Sequence, residues 1–129
     1  YQDLPAQLGG NLLHEQEAAV TARWHRARVE PGSRLERIFG EPELHINSFH
    51  HQGVREIAPG LVACAWAEDG LVEAVEGTGD AWVIGVQWHP ERGEAALSED
   101  RRNPDRRLFW AFAEACREYA LHRAAARPG

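Results

Sequence analysis

The chain has 129 residues, 43% of them hydrophobic and 26% charged, with a formal net charge of −6. This is the composition of one soluble domain, long enough to bury a core without metals or disulfides. All 14 basic residues are Arg and none gather into a run, so nucleic acid is not expected as a partner. The longest apolar stretches, Leu61 to Ala67 and Ala81 to Val86, fall far short of the roughly 18 residues of a membrane span. The first residues do not read as a basic-then-apolar signal segment, and a cytoplasmic location without a membrane partner is expected.

Tyr1 to Ala19 lacks periodicity and is broken by Pro5, Gly9 and Gly10, which predicts a loop with one short helical turn. The sequence has no Met and opens at Tyr1 within what reads as a polar connection, so a piece of a longer product is expected. From Arg23 to Glu30, Trp24, Arg26 and Arg28 alternate with His25, Ala27 and Val29, the period-two pattern of a strand. After Pro31-Gly32, Ser33 and Glu36 form a capping box for a short helix over Leu35 to Phe39 that Gly40 stops. Leu44 to Ser48 predicts a strand running into Phe49-His50-His51-Gln52-Gly53. Gly60 to Ala67 and Leu71 to Glu76, separated by Glu68-Asp69-Gly70, predict a β-hairpin.

Ala81 to Trp88 is almost unbroken apolar, as in a strand buried on both faces, and ends in His89-Pro90-Glu91. Residues 92 to 103 are polar and read as mobile or locally helical. After Pro104, the spacing of Leu108, Phe112, Ala115 and Tyr119, with Phe109 and Cys116 beside them, predicts an amphipathic helix packed on a sheet. Residues 124 to 129 read as a fraying tail. Cys64, in a strand, and Cys116, in the helix, are expected as buried thiols.

The segment that carries chemistry is Gly85-Val86-Gln87-Trp88-His89-Pro90-Glu91. A buried strand emerging into His and Glu places them at the end of a sheet, where open α/β folds bind ligands. Pro90 restricts His89 to extended geometry, and residues two apart in an extended segment face the same way. Glu91 can therefore reach the ring of His89, fix its tautomer and support its positive form. A catalytic zinc on His50, His51, His89 and Glu91 is not expected, because no Pro-Cys-x-x-Cys follows. His14, His25, His45 and His122 read as structural or solvent-exposed.

That string, with Ile46-Asn47-Ser48-Phe49-His50-His51-Gln52-Gly53-Val54, Ala58-Pro59-Gly60-Leu61 and Asp69-Gly70-Leu71-Val72-Glu73-Ala74, resembles the class I glutamine amidotransferase superfamily. The best match is its peptidase C26, or γ-glutamyl-γ-aminobutyrate hydrolase-like, branch. The resemblance implies an α/β, flavodoxin-like fold, of which residues 1–129 are the C-terminal half with a β-hairpin and a C-terminal helix. It implies His89 as general base and acid, Glu91 as its orienter, and Ser48, Phe49, His50 and His51 lining the pocket for the glutamyl group. No cofactor and no metal are expected.

The family's nucleophile sits in a Gly-x-Cys-x-Gly turn, and neither Ala63-Cys64-Ala65 nor Ala115-Cys116-Arg117 has those glycines. The expected function is hydrolysis of a γ-glutamyl amide by a Cys-His-Glu triad whose Cys lies outside this sequence. The expected partners are a small γ-glutamyl substrate and the absent N-terminal half of the domain, with self-association left open. Two alternatives stand beside it: an amidotransferase delivering ammonia to a synthetase, and a non-catalytic module that completes another chain's fold.

Overall fold

The computed structural model describes residues 1–9, 12–19, 22–92 and 103–125. Helix α1 (Leu4–Leu8) is started by Asp3, whose carboxylate accepts the Ala6 N–H. Strand β1 (His25–Val29) follows its alternation, with His25, Ala27 and Val29 turned inward and both arginines outward. In helix α2 (Arg34–Phe39) the Ser33 hydroxyl accepts the Glu36 N–H at 2.9 Å. The Glu36 carboxylate returns one residue earlier than an ideal capping box, to the Gly32 N–H at 2.7 Å. Gly40, at φ +70°, ends the helix in the left-handed conformation that a side chain disfavours.

Strand β2 (Glu43–Ile46) pairs with β1, and β3 (Leu61–Ala67) with β4 (Val72–Gly77) forms the expected hairpin. Its turn needs Gly70 at φ +86°. Strand β5 (Ile84–Val86) adds to β4, giving the order β2-β1-β3-β4-β5 with every neighbouring pair antiparallel. A 3-10 turn (Pro90–Arg92) follows, and helix α3 (Pro104–Ala125) closes the described chain. The main core lies between one face of the sheet and α2, and is built from Ala27, Val29, Leu35, Phe39, Ile46 and Trp88 among others. A smaller cluster of Leu4, Ala67 and Leu71 seats α1 against the hairpin.

Three local expectations change. The run Ala81 to Trp88 contributes only the three residues of β5, which are half-buried, because β5 pairs with β4 alone among the described residues. Helix α3 is anchored at its start by buried Asp105 and Leu108, but Phe112 and Tyr119 are 54% and 65% exposed. Only α2 and the 3-10 turn make extensive contact with it among the described elements, so most of its apolar face is not packed on the sheet. Cys116 lies on that uncovered length and is exposed, whereas Cys64 is buried as expected. Most of 92 to 103 and of the tail from 124 lies outside the described residues. No described helix is long and apolar enough to cross a membrane.

Candidate active site

The strand-to-turn passage after β5 presents His89. Trp88 is buried with its ring 6.4 Å from that of Phe39, and Pro90 is buried behind the turn, so the backbone on both sides of His89 is held. The His89 side chain is one-third exposed, and its Nδ1 lies 2.7 Å from Glu91 Oε1. With the carboxylate on Nδ1, the ring carries its proton there and leaves Nε2 as the basic nitrogen. Burial works against the Glu91 charge, but the hydrogen bond from His89 together with the nearby charges of His89 and Arg92 outweighs it and holds the carboxyl below its ordinary value. Asn47, at the end of β2, grips His89 from behind: its Nδ2 donates to the His89 carbonyl and its Oδ1 accepts the His89 N–H, each at 2.8 Å.

The segment after Asn47 runs beside this histidine. The Phe49 ring meets His89 edge-on at 6.1 Å, and the Arg92 guanidinium lies over Phe49 at 5.6 Å. Ser48 points inward and is fully buried; its hydroxyl donates to the His14 carbonyl at 2.5 Å, and its N–H donates to Gln16 Oε1 at 2.7 Å. His51 is exposed, and its carbonyl accepts the Leu4 N–H. His50 and His51 border a cleft of about 260 Å³ shared with α1, Leu12, His14 and Asp69. Of the residues singled out in the sequence, His89, Glu91 and Phe49 thus come together, while His50 and His51 face the neighbouring cleft and Ser48 supports the segment from inside.

A second cluster is the feature sequence reasoning missed. Glu73, fully buried on β4, has His14, His25 and His50 around a single oxygen: Oε1 is 3.3 Å from His14 Nδ1, 3.6 Å from His25 Nε2 and 3.7 Å from His50 Nε2. The available signal was the phase of β1, which puts His25 on the same face as Ala27 and Val29. Burial alone would raise Glu73, but the imidazoles of His14 and His50 reverse this and hold it low. Burial pushes His25 toward its neutral form, whereas for His14 the Glu73 and Asp69 carboxylates overcome burial and raise it.

Neither thiol stands beside His89 among the described contacts. Burial pushes the Cys64 thiol up to about 12, helped by the nearby Glu76 carboxylate, so it is a protonated core group.

The peptidase C26 family model matches residues 1–91. Protein NtpR of Enterococcus hirae is 38% identical over 78% of this chain and 43% of its own length. Rv2859c of Mycobacterium tuberculosis, provisionally named a glutamine amidotransferase, is 34% identical over 98% of this chain and 41% of its own. The γ-glutamyl-γ-aminobutyrate hydrolase PuuD of Escherichia coli is 39% identical over 74% of this chain and 36% of its own. The chain belongs to the peptidase C26 family, a hydrolase and amidotransferase-like family. Its mixed α/β architecture, with hairpin and terminal helix, is consistent with part of a class I glutamine amidotransferase-like fold. The chain spans about two-fifths of the length of these relatives.

Proposed function

We propose that this chain supplies the base and the orienting carboxylate of a cysteine hydrolase acting on γ-glutamyl amides, with the nucleophilic cysteine provided by polypeptide beyond these 129 residues. The observation that carries the reading is the 2.7 Å contact between His89 Nδ1 and Glu91 Oε1, on a histidine whose backbone is clamped by Asn47. In this reading His89 Nε2 takes the thiol proton, and the thiolate adds to the γ-carbonyl carbon. The imidazolium then protonates the departing amine as the C–N bond breaks, leaving a γ-glutamyl thioester. Water, deprotonated by the same nitrogen, cleaves the thioester and returns the thiol. Glu91 keeps the ring in the competent tautomer and stabilises the imidazolium without touching substrate. The name of the Escherichia coli relative supports the hydrolase outcome.

Delivery of ammonia to a synthetase is the second reading, supported by the name of the mycobacterial relative. Both share the thioester and differ in the fate of the amine. The test is to assay the complete protein with a γ-glutamyl anilide and trap the acyl-enzyme by mass spectrometry. Free glutamate with a γ-glutamyl adduct on a cysteine outside this sequence supports the proposal. No turnover and no adduct would leave a non-catalytic module instead.

A further inference from the structure

The Glu73 cluster has a proton arrangement that calls for a cation. Each surrounding histidine already uses one ring nitrogen on an acceptor: His14 Nε2 on Asp69 Oδ2 at 2.8 Å, His25 Nδ1 on the Arg26 carbonyl at 3.2 Å, and His50 Nδ1 on the Gln52 carbonyl at 2.9 Å. Those nitrogens must carry the protons, because carboxylates and carbonyls only accept. In the neutral rings the opposite nitrogens, His14 Nδ1, His25 Nε2 and His50 Nε2, present lone pairs, and all three converge on a carboxylate oxygen. These three nitrogens and both Glu73 oxygens are buried without a hydrogen-bond partner among the described residues. Neutral imidazoles facing a carboxylate leave these acceptors without a donor, and in a buried site that is costly unless a cation or an added proton joins them.

We propose that His14, His25 and Glu73, with His50 beside the carboxylate, form a binding site for a divalent transition-metal ion of the zinc class. The spacing suits such an ion: bonds of roughly 2.0–2.1 Å in a tetrahedron separate ligand atoms by roughly 3.3 Å. The distances to Glu73 Oε1 run from 3.3 to 3.7 Å. The ligand atoms of His14, His25 and Glu73 all lie within 4.8 Å of one another, whereas His50 meets only the carboxylate, at 3.7 Å. Imidazole nitrogen with one carboxylate is a donor set that favours zinc over magnesium or calcium. The outer contacts match as well, since metal-bound histidines characteristically give their second N–H to a carboxylate or backbone carbonyl, as His14 and His25 do here. The cleft bounded by Leu12, His14, His50 and Asp69 supplies the approach.

The ion has three protein ligands, and a water or a small shift of the His50 ring fills the fourth tetrahedral position. It would tie together the segment around His14, strand β1, strand β4 and the segment carrying Phe49 and His50, which packs beside His89. The proposal departs from the sequence-based expectation of no metal, and it does not depend on the catalytic reading above.

The complete protein should be stripped with a chelator, then titrated with Zn²⁺ and with Co²⁺ as a spectroscopic probe. The expected result is one ion per chain, a cobalt spectrum of the intense four-coordinate type, and a melting temperature raised by Zn²⁺. Glu73→Gln, nearly isosteric, should abolish the intense cobalt bands. Asp69→Asn, which leaves every proposed ligand in place, should weaken affinity about 10- to 100-fold. His122→Ala should bind as the parent does. X-ray absorption on the unmodified protein, showing imidazole nitrogens at about 2.0–2.1 Å from zinc, keeps the idea testable if Glu73→Gln does not fold. Failure of the stripped protein to take up stoichiometric metal, or the weak spectrum of six-coordinate cobalt, would overturn it and leave a cluster held by a shared proton.

Discussion

A single carboxamide, that of Asn47, satisfies both backbone polar groups of His89, accepting its N–H and donating to its carbonyl at 2.8 Å each. Asn47 is 2% exposed, so water cannot replace these bonds. Asn47→Ala should destabilise the fold by about 1–3 kcal/mol, the sum of two hydrogen bonds at about 0.5–1.5 each. In the complete protein it should also lower kcat, by up to about 100-fold, through misplacement of the ring. Denaturant melts and steady-state kinetics check the two effects. A fall in stability with unchanged kcat would reduce Asn47 to a structural residue.

His89→Ala should lower turnover by about 100- to 10,000-fold, the range expected of a lost acid–base group. Glu91→Gln should slow turnover yet leave a measurable rate, because the carboxylate acts only through the ring. Equal losses in the two variants would show that Glu91 has a direct role.

The Glu91 carboxyl should titrate below the ordinary glutamate value, and carbon-detected NMR reads this directly. Since its folded value is depressed, the support it gives His89 is complete above the ordinary value of about 4.3 and fades as pH falls through the lowered one. In a His89→Ala background the value should move back up.

Native alkylation with iodoacetamide at mildly alkaline pH should label Cys116, which is exposed, and spare Cys64, whose thiol is held up to about 12. Mass spectrometry of the digested protein checks this. Cys116→Ser should leave the turnover of the complete protein unaffected, and rapid labelling of Cys64 without denaturant would contradict its buried position.

Helix α3 is fastened by Arg23, which grips the buried Asp105 carboxylate with two nitrogens at 3.2 and 2.7 Å. Burial raises Asp105 by more than Arg23 lowers it. A carboxyl with a raised folded pKa contributes stability that is full below the unfolded value of about 3.9 and is lost as pH rises through the folded value. Asp105→Asn should therefore flatten the stability profile across that window. Thermal melts of the parent and the variant at stepped pH measure the difference.

Much of the local structure was legible because each element carries its own instruction. Ser33 and Gly40 bracket α2, Asp69-Gly70 turns the hairpin, and the alternation around Ala27 orients β1, all through contacts within a few residues. The His89–Glu91 pairing was readable as two neighbours in the chain, although a 3-10 turn over Pro90–Arg92, and not an extended segment, brings them together. The tertiary structure alone decided what joins segments distant in sequence. Nothing near Asn47 in the chain indicates that it holds His89, 42 residues away. Nor does any local pattern announce that His14, His25, His50 and Glu73 converge, because their meeting depends on the β1-β3-β4 order and on the path of the segments around His14 and His50. Helix α3 shows the converse limit: its periodicity correctly specified a helix, but only the arrangement of its neighbours determines which part of its apolar face is covered.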